Sequence, residues 1–290
     1  MANQAAEPLA KGIETPPENG MGGKGAGDEN FPVGSILIAR RLRPHVMRYY
    51  AFARAADDIA DNPDLAPDEK VRRLDAFEVG LAAGATAPEA AVRLRDSLAE
   101  TGVADRHARD LLVAFRQDAT KLRYADWGEL MEYCAISAHP VGRYLLDLHG
   151  EDAATHAPGD ALCAALQVLN HLQDCGDDRR DLDRVYLPGD WMAGAGIDAI
   201  ALDAPAASPG LRRVLDQCLD GCDALLERSA PLAGMIRARR LAAEVAVIHR
   251  LARRLAARLR REDPLARRVK HSKRDLLAGL AAGLVRLVRP

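Results

Sequence analysis

The chain has 290 residues, and 48% of them are hydrophobic, which is enough to build a substantial folded core. Its 40 basic and 42 acidic residues leave a net charge of −2, so charge gives no reason to expect nucleic acid as a partner. The five cysteines form no Cys-x-x-Cys pair and indicate buried thiols in a reducing compartment, and the absence of any run of 18 apolar residues predicts no membrane span.

The N-terminal segment differs in composition from the rest of the chain. Residues 1–28 are rich in Gly, Pro, Glu and Asn and show no periodicity, which predicts a disordered leader before a folded domain over residues 29–290. Gly20, Gly22 and Gly25 match the spacing of a dinucleotide-binding fingerprint, but no strand precedes them and no helix follows closely. We therefore expect no nicotinamide cofactor.

From Phe31 onward the apolar residues recur with helical periodicity. The predicted helices cover residues 45–60, 68–83, 88–101, 104–121, 126–149, 159–180, 209–229, 232–261 and 273–288. Ala, Leu and Arg dominate, and no alternating strand pattern is sustained, so we predict an all-α, single-domain fold. The longest irregular segment inside it, residues 181–209, is predicted to act as a lid, because long loops in compact domains are usually functional.

Two acidic clusters place oxygen ligands four residues apart on predicted helices. Asp57 and Asp61 form the first cluster, and Asn170, Asp174 and Asp178 form the second. Side chains at i and i+4 share one helix face, where stacked carboxylates repel one another unless a cation lies between them. Mg²⁺ prefers such oxygen ligands and commonly binds substrate phosphates as well. The pattern therefore predicts a diphosphate site with bridging Mg²⁺, although one acidic pair alone would more simply be a solvated helix face.

Four motifs in chain order resemble those of the trans-isoprenyl diphosphate synthases of the squalene and phytoene synthase family. The motifs are Arg54-x-x-Asp57-Asp58-x-x-Asp61; Tyr133 with Ala138, Val141 and Gly142; Gln167-x-x-Asn170-x-x-x-Asp174-x-x-x-Asp178 followed by Arg184-Val185-Tyr186-Leu187-Pro188; and Arg268-Val269. The resemblance covers residues 31–285 approximately. It implies an isoprenoid-synthase helical bundle with a central active-site cavity.

The resemblance also implies roles for individual residues. The two acidic clusters would hold Mg²⁺ and ionise an isoprenoid diphosphate. Arg54 and Arg268 would contact the diphosphate, and Tyr133 and Tyr186 would donate to a phosphate oxygen or line the cavity rim. Plainer alternatives remain open, because tyrosines are commonly core residues and Arg268 lies in a basic run over residues 267–274 that could be a solvated or membrane-facing surface.

Three segments resemble a bacterial branch of the family that acts in hopanoid biosynthesis: residues 29–35, 170–174 and 182–188. This resemblance implies that the substrate is presqualene diphosphate, whose rearranged cation is trapped by water to give hydroxysqualene. Glu29 and Gln173 stand where carotenoid-type relatives carry Lys and Arg. Both differences remove positive charge, which favours one diphosphate substrate over two.

Two alternatives remain open from the sequence. One is a head-to-head prenyl synthase that condenses two farnesyl diphosphates into presqualene diphosphate, squalene or dehydrosqualene. The other is a non-catalytic helical scaffold or assembly factor, against which the complete acidic clusters argue, since a scaffold has no need to keep like charges stacked.

The composition of the C-terminal segment bears on membrane contact. Residues 276–288 are mostly apolar with basic flanks, a pattern typical of a core helix or of a helix lying at a membrane surface. The N-terminus lacks a continuous apolar stretch of the secretory type. Together these features predict a cytoplasmic protein that touches the inner-membrane surface reversibly.

Overall fold

The computed structural model describes residues 37–82 and 87–288. The predicted leader over residues 1–28 with its glycine string, Glu29 and the segment 29–35 lie outside these described residues.

The described chain is built almost wholly from helices, which confirms the predicted all-α fold. The helices are α1 (Arg43–Ala60), α2 (Pro67–Ala82), α3 (Glu89–Thr101), α4 (Arg106–Asp118), α5 (Trp127–Ser137), α6 (His139–Leu148), α7 (His156–Leu182), α8 (Gly189–Gly194), α9 (Pro209–Ser229), α10 (Leu232–Met235), α11 (Arg239–Leu259) and α12 (Lys273–Val288). Two short 3-10 turns span Ala153–Thr155 and Ala199–Asp203. Strands β1 (Arg123–Tyr124) and β2 (Val185–Pro188) pair in parallel.

Two predicted helices are each divided in the structure. The predicted helix over 126–149 breaks at Ala138, because Pro140 lacks a backbone N–H and fits the first turn of α6 but not a helix interior. The predicted helix over 232–261 breaks after Met235, where the backbone becomes extended. Glu151 accepts the backbone N–H groups of Arg237 and Ala238, both at 2.8 Å, and so caps the start of α11. This distant acceptor has no local signature in the sequence.

The prediction of a long irregular lid over residues 181–209 is wrong. The segment contains β2, α8 and a 3-10 turn, and all four residues of β2 are buried. β2 pairs with β1, with Val185 opposite Arg123 and Pro188 opposite Tyr124. The segment is therefore an anchored part of the fold. Strands this short carry too few alternating residues for their periodicity to be visible.

The hydrophobic interior consists of two adjoining clusters. One fills the space between α1, α2, α3, α4 and α6, around Phe52, Leu74 and Leu112. The other surrounds α7, α9 and α11, around Leu169 and Leu219. The long helix α7 belongs to the second cluster and also contacts α6, so α7 runs along the junction between the two.

α12 is neither a core helix nor fully solvated. Its buried positions include Gly279 and Gly283, which lie against Leu251 and Val247 of α11. The opposite face of α12 is exposed and apolar. Within the described part of the chain, no helix is both long enough and apolar enough to cross a bilayer.

Gly142 permits a close approach between α6 and α7. A Cβ at this position would lie 2.5 Å from the Sγ of Cys163 on α7. We therefore expect Gly142→Ala to lower the free energy of unfolding by about 1–3 kcal/mol, the typical cost of overpacking a well-packed contact. Urea denaturation measures the change. Gly194→Ala is the matched control, because a Cβ there meets nothing within 4 Å; equal stability of the two variants would contradict this packing argument.

Candidate active site

The two predicted acidic clusters lie on helices that meet around one buried carboxyl group. Asp57 and Asp61 occupy the C-terminal end of α1, and Asp174 and Asp178 lie on α7. The negative charges of Asp61 and Asp178 both raise the pKa of Asp118, at the end of α4. One carboxylate from each cluster, Asp61 and Asp178, therefore lies close enough to Asp118 to affect its ionisation.

Asp118 is a site residue that the sequence analysis missed. It is 6% exposed, and Tyr133 Oη donates to its Oδ2 at 2.9 Å. Burial is the largest effect that raises its pKa, to about 7. Its Oδ1 atom is buried without a hydrogen-bond partner among the described residues. A signal was available, because Leu111 and Ala114, seven and four residues earlier, place Asp118 on the apolar face of α4.

Arg184 is a second residue whose role the sequence analysis missed, although it stood inside a quoted motif. It is 6% exposed, and its Nη1 donates to Asp61 Oδ1 at 2.5 Å. Its Nη2 donates to the carbonyl oxygens of Ala60 at 3.1 Å and Asp118 at 3.0 Å. One buried guanidinium group therefore ties the ends of α1 and α4 to the residue before β2.

The first cluster has its predicted arginine beside it. Arg54 Nη1 lies 3.1 Å from Asp57, and Nη2 lies 2.9 Å from Asp58. Burial first, and the negative charge of Asp61 second, raise the pKa of Asp57 to about 7. The Asp57 side chain is still 37% exposed, so solvent screens part of this repulsion.

The second cluster is in contact with the C-terminal segment. Arg268 Nη2 lies 3.0 Å from Asp174 Oδ2, which places this arginine at the cluster rather than on a solvated basic surface. Gln173 is buried, and its Nε2 donates to the carbonyl oxygen of Val269 at 2.5 Å. The neutral residue at position 173 therefore helps to hold the segment that carries Arg268.

A group of aromatic rings adjoins the carboxylates. Tyr186 stacks on His171 with ring centroids 3.5 Å apart, and His171 Nδ1 lies 3.8 Å from Asp178. The rings of Tyr124 and Tyr133 lie 5.5 Å and 5.6 Å from that of Tyr186. Tyr133 and Tyr186 are both buried. They are thus part of the core wall behind the clusters, and the Tyr133 hydroxyl is engaged by Asp118.

The donor set fits a divalent metal in its chemistry. The predicted ligands Asp57, Asp61, Asn170, Asp174 and Asp178 supply carboxylate and amide oxygens, which Mg²⁺ prefers. No three His, Cys, Asp or Glu side chains in the described ranges form a preorganised metal cage. Mg²⁺ commonly binds proteins through one or two carboxylates, with waters and substrate phosphates completing its shell.

A cavity of about 640 Å³ adjoins the second cluster, because Arg268 lines it and also contacts Asp174. Its lining includes Gln173 and Arg180 from α7 and Leu202 from the 3-10 turn. Charged side chains of both signs border this cavity, so it is an opening beside the site rather than the apolar interior that would hold a long hydrocarbon chain.

Asp118 should make stability depend on pH. Its pKa is raised from 3.8 to about 7, so between these values the folded state keeps a proton that the unfolded state has lost. The unfolding free energy without ligand is therefore expected to fall as pH rises through this window. Asp118→Asn should flatten the fall, measured by urea denaturation at several pH values. Asp96→Asn, at a 57% exposed carboxylate, is the control, and identical pH slopes for both variants would contradict the assignment.

Comparison with known proteins shows similarity across most of the chain. A family model described as squalene/phytoene synthase matches residues 25–275. The chain is 49% identical to the hydroxysqualene synthase of Rhodopseudomonas palustris, covering 85% of each chain. It is 44% identical to the hydroxysqualene synthase of Zymomonas mobilis, covering 90% of this chain and 88% of that protein.

A solved structure of a squalene synthase from Alicyclobacillus acidocaldarius superposes with a TM-score of 0.70 at 32% identity. The superposition covers 79% of this chain and 87% of that chain.

Proposed function

The chain belongs to the squalene/phytoene synthase family, and we propose that it is a hydroxysqualene synthase that ionises presqualene diphosphate and captures the rearranged cation with water. The observation that supports the ionisation step is the set of contacts around buried Asp118. Arg184 donates to both Asp61 and the Asp118 carbonyl oxygen. The ring of Tyr133, which donates to the Asp118 carboxyl group, lies 6.1 Å from the ring of His171, and His171 lies 3.8 Å from Asp178. The names of the relatives at 44% and 49% identity support this branch of the family over the condensing branch.

Members of this family ionise prenyl diphosphates and generally use divalent metal. In our proposal the metal is Mg²⁺, held by Asp57, Asp61, Asn170, Asp174 and Asp178. When bound, Mg²⁺ neutralises charge on the leaving diphosphate and so lowers the barrier to carbon–oxygen cleavage.

The arginines add a second source of positive charge. Arg54 lies beside Asp57, and Arg268 lies beside Asp174, one at each cluster. A planar guanidinium group can bind two phosphate oxygens at once, which suits both arginines to orient the diphosphate. Arg184 donates to one carboxylate and two carbonyl groups of the protein, so its part is to hold the first cluster in position.

In our proposal the aromatic group beside the carboxylates forms part of the wall around the hydrocarbon part of the substrate. Ionisation leaves a carbocation that must rearrange before water captures it. As a group, Tyr124, Tyr133 and Tyr186 add electron-rich side chains to this wall, which can stabilise a nearby positive charge. Their burial also keeps bulk water away from the cation during the rearrangement. Water then forms the new carbon–oxygen bond and releases a proton, so one diphosphate leaves for each alcohol formed.

The competing candidate is a synthase that condenses two farnesyl diphosphates. Gln173 argues against it, because a neutral side chain directed at the Val269 carbonyl adds no charge for a second diphosphate.

We further propose that the protein is cytoplasmic and works in contact with the inner-membrane surface.

A product assay tests the proposal. The purified chain is incubated with Mg²⁺ and either presqualene diphosphate or farnesyl diphosphate, without reductant, and the extracted products are identified by mass spectrometry. Hydroxysqualene from presqualene diphosphate, abolished by EDTA, with farnesyl diphosphate left intact, is the expected result. Consumption of farnesyl diphosphate would assign the chain to the condensing branch. Inactivity on both substrates, with a folded protein, would favour a scaffold.

A further inference from the structure

The outward face of α12 is an uninterrupted apolar surface. Between residues 276 and 288, every exposed side chain is apolar, and the large ones are Leu276, Leu277, Leu280, Leu284, Val285 and Val288. Leu277, Leu280, Leu284 and Val288 follow helical spacing and form one stripe about three turns long. Their exposures, from 57% to 78%, are high for large apolar residues on one continuous surface.

This face is held outward by the way α12 packs. The buried side of the helix includes Gly279 and Gly283, where added Cβ atoms would lie 3.2 Å from Leu251 and 2.7 Å from Val247. The two glycines let α12 lie close against α11, and this contact fixes which side faces out. The leucines of the stripe therefore cannot turn inward without separating the two helices.

Basic side chains flank the apolar stripe at both ends. Lys273 and Arg274 are exposed at the start of α12, and Arg286 and Arg239 lie near its end, where Arg239 donates to the Leu287 carbonyl oxygen. The one acidic residue between 270 and 288 is Asp275. It is buried, its Oδ2 accepts from the Ser272 hydroxyl at 2.6 Å, and Arg254 and Arg258 lie 3.9 Å and 3.6 Å away. The outward surface therefore combines apolar side chains with the exposed basic residues Lys273, Arg274 and Arg239.

We propose that the outer face of α12 docks onto an anionic lipid bilayer, with its leucines in the headgroup–acyl boundary and its basic residues among the lipid phosphates. A stripe of Leu and Val flanked by Lys and Arg is the composition of helices that lie in the membrane interface. A protein partner fits less well, because protein interfaces are enriched in aromatic side chains and typically carry several direct hydrogen bonds. Residues 276–288 include no aromatic residue, and their exposed positions offer no side-chain donor or acceptor.

The proposal rests on the membrane contact proposed above and names its surface, but it does not depend on the enzymatic activity and is tested by binding alone. The full chain is sedimented with phosphatidylcholine vesicles that contain or lack phosphatidylglycerol, without substrate. Wild type should bind the anionic vesicles, more weakly at high salt. The triple variant Leu277→Gln, Leu280→Gln, Leu284→Gln should bind at least about tenfold more weakly, since binding scales with buried apolar area. Lys273→Glu with Arg274→Glu should also reduce binding by about tenfold.

The matched control is Val79→Gln, Val113→Gln, Ile200→Gln, which changes three exposed apolar residues on other elements. It should bind like wild type. All the substituted side chains are exposed, and circular dichroism melting confirms that each variant is folded. Equal vesicle binding by wild type and the α12 variant, or no binding by wild type, would overturn the proposal. A wild-type dimer that the α12 variant dissociates, without vesicle binding, would assign the face to a second copy of the chain.

Discussion

Asp174→Asn is expected to lower kcat on presqualene diphosphate by at least about a thousandfold, because it removes the negative charge of a proposed metal ligand from the second acidic cluster. A loss of that size corresponds to roughly 4 kcal/mol of transition-state stabilisation, the scale of a metal ion's contribution to charge neutralisation. The substitution preserves side-chain size and leaves an oxygen acceptor for Arg268, which lies 3.0 Å from Asp174 in the wild-type chain. Steady-state kinetics with saturating Mg²⁺ measures the effect.

Asp177→Asn is the matched control for this experiment. Asp177 lies on the same helix three residues later, but its side chain is 57% exposed and faces Arg180. Its substitution should leave kcat within about twofold of wild type, since surface changes of this kind have small effects. A fully active Asp174→Asn enzyme, or equal losses in the two variants, would refute the role of the second cluster in ionisation.

Arg184→Met is expected to lower the free energy of unfolding by about 3 kcal/mol, because it removes the charged partner from a largely buried network. Methionine fills much of the space but donates no hydrogen bonds. The carbonyl groups of Ala60 and Asp118 would lose their donor, and Asp61 would lose its counter-charge. Urea denaturation gives the stability change, and kinetics under stabilising conditions should show weakened activity, since the first cluster is no longer held in place.

Arg180→Met provides the comparison for Arg184→Met. The Arg180 side chain is 65% exposed and pairs with two exposed carboxylates, so its removal should change stability by less than about 1 kcal/mol. Wild-type stability of Arg184→Met would show that α1, α4 and β2 are held together without this guanidinium group.

Local patterns in the sequence were enough to predict most of the helices and the positions of the two acidic clusters on them. Asp57 with Asp61, and Asn170 with Asp174 and Asp178, follow i,i+4 spacing, and both sets lie on helices that the apolar periodicity predicts to within a few residues. The placement of Arg268 beside Asp174 agrees with the motif-based expectation. Their roles in binding metal and diphosphate stay predictions.

Features that depend on distant contacts were missed. Glu151 accepts the backbone N–H groups of residues 237 and 238, more than eighty positions away along the chain. This contact caps the start of α11 and divides the helix predicted over residues 232–261. β1 and β2 are short and depend on pairing across about sixty residues, so neither shows a strand pattern of its own. The residues around Arg184 in the sequence do not indicate its partners, which lie at the ends of α1 and α4. Asp118 was detectable, because a carboxylate on an apolar helix face is unusual without a function or a buried partner.

The most direct test of the central claim is a turnover in water enriched in oxygen-18. The enzyme is supplied with presqualene diphosphate and Mg²⁺, and the C30 product is analysed by mass spectrometry. The account predicts hydroxysqualene that carries one heavy oxygen per molecule, because water from the solvent captures the cation after carbon–oxygen cleavage. An unlabelled alcohol would contradict water capture, and a hydrocarbon product such as squalene or dehydrosqualene would contradict the assigned reaction.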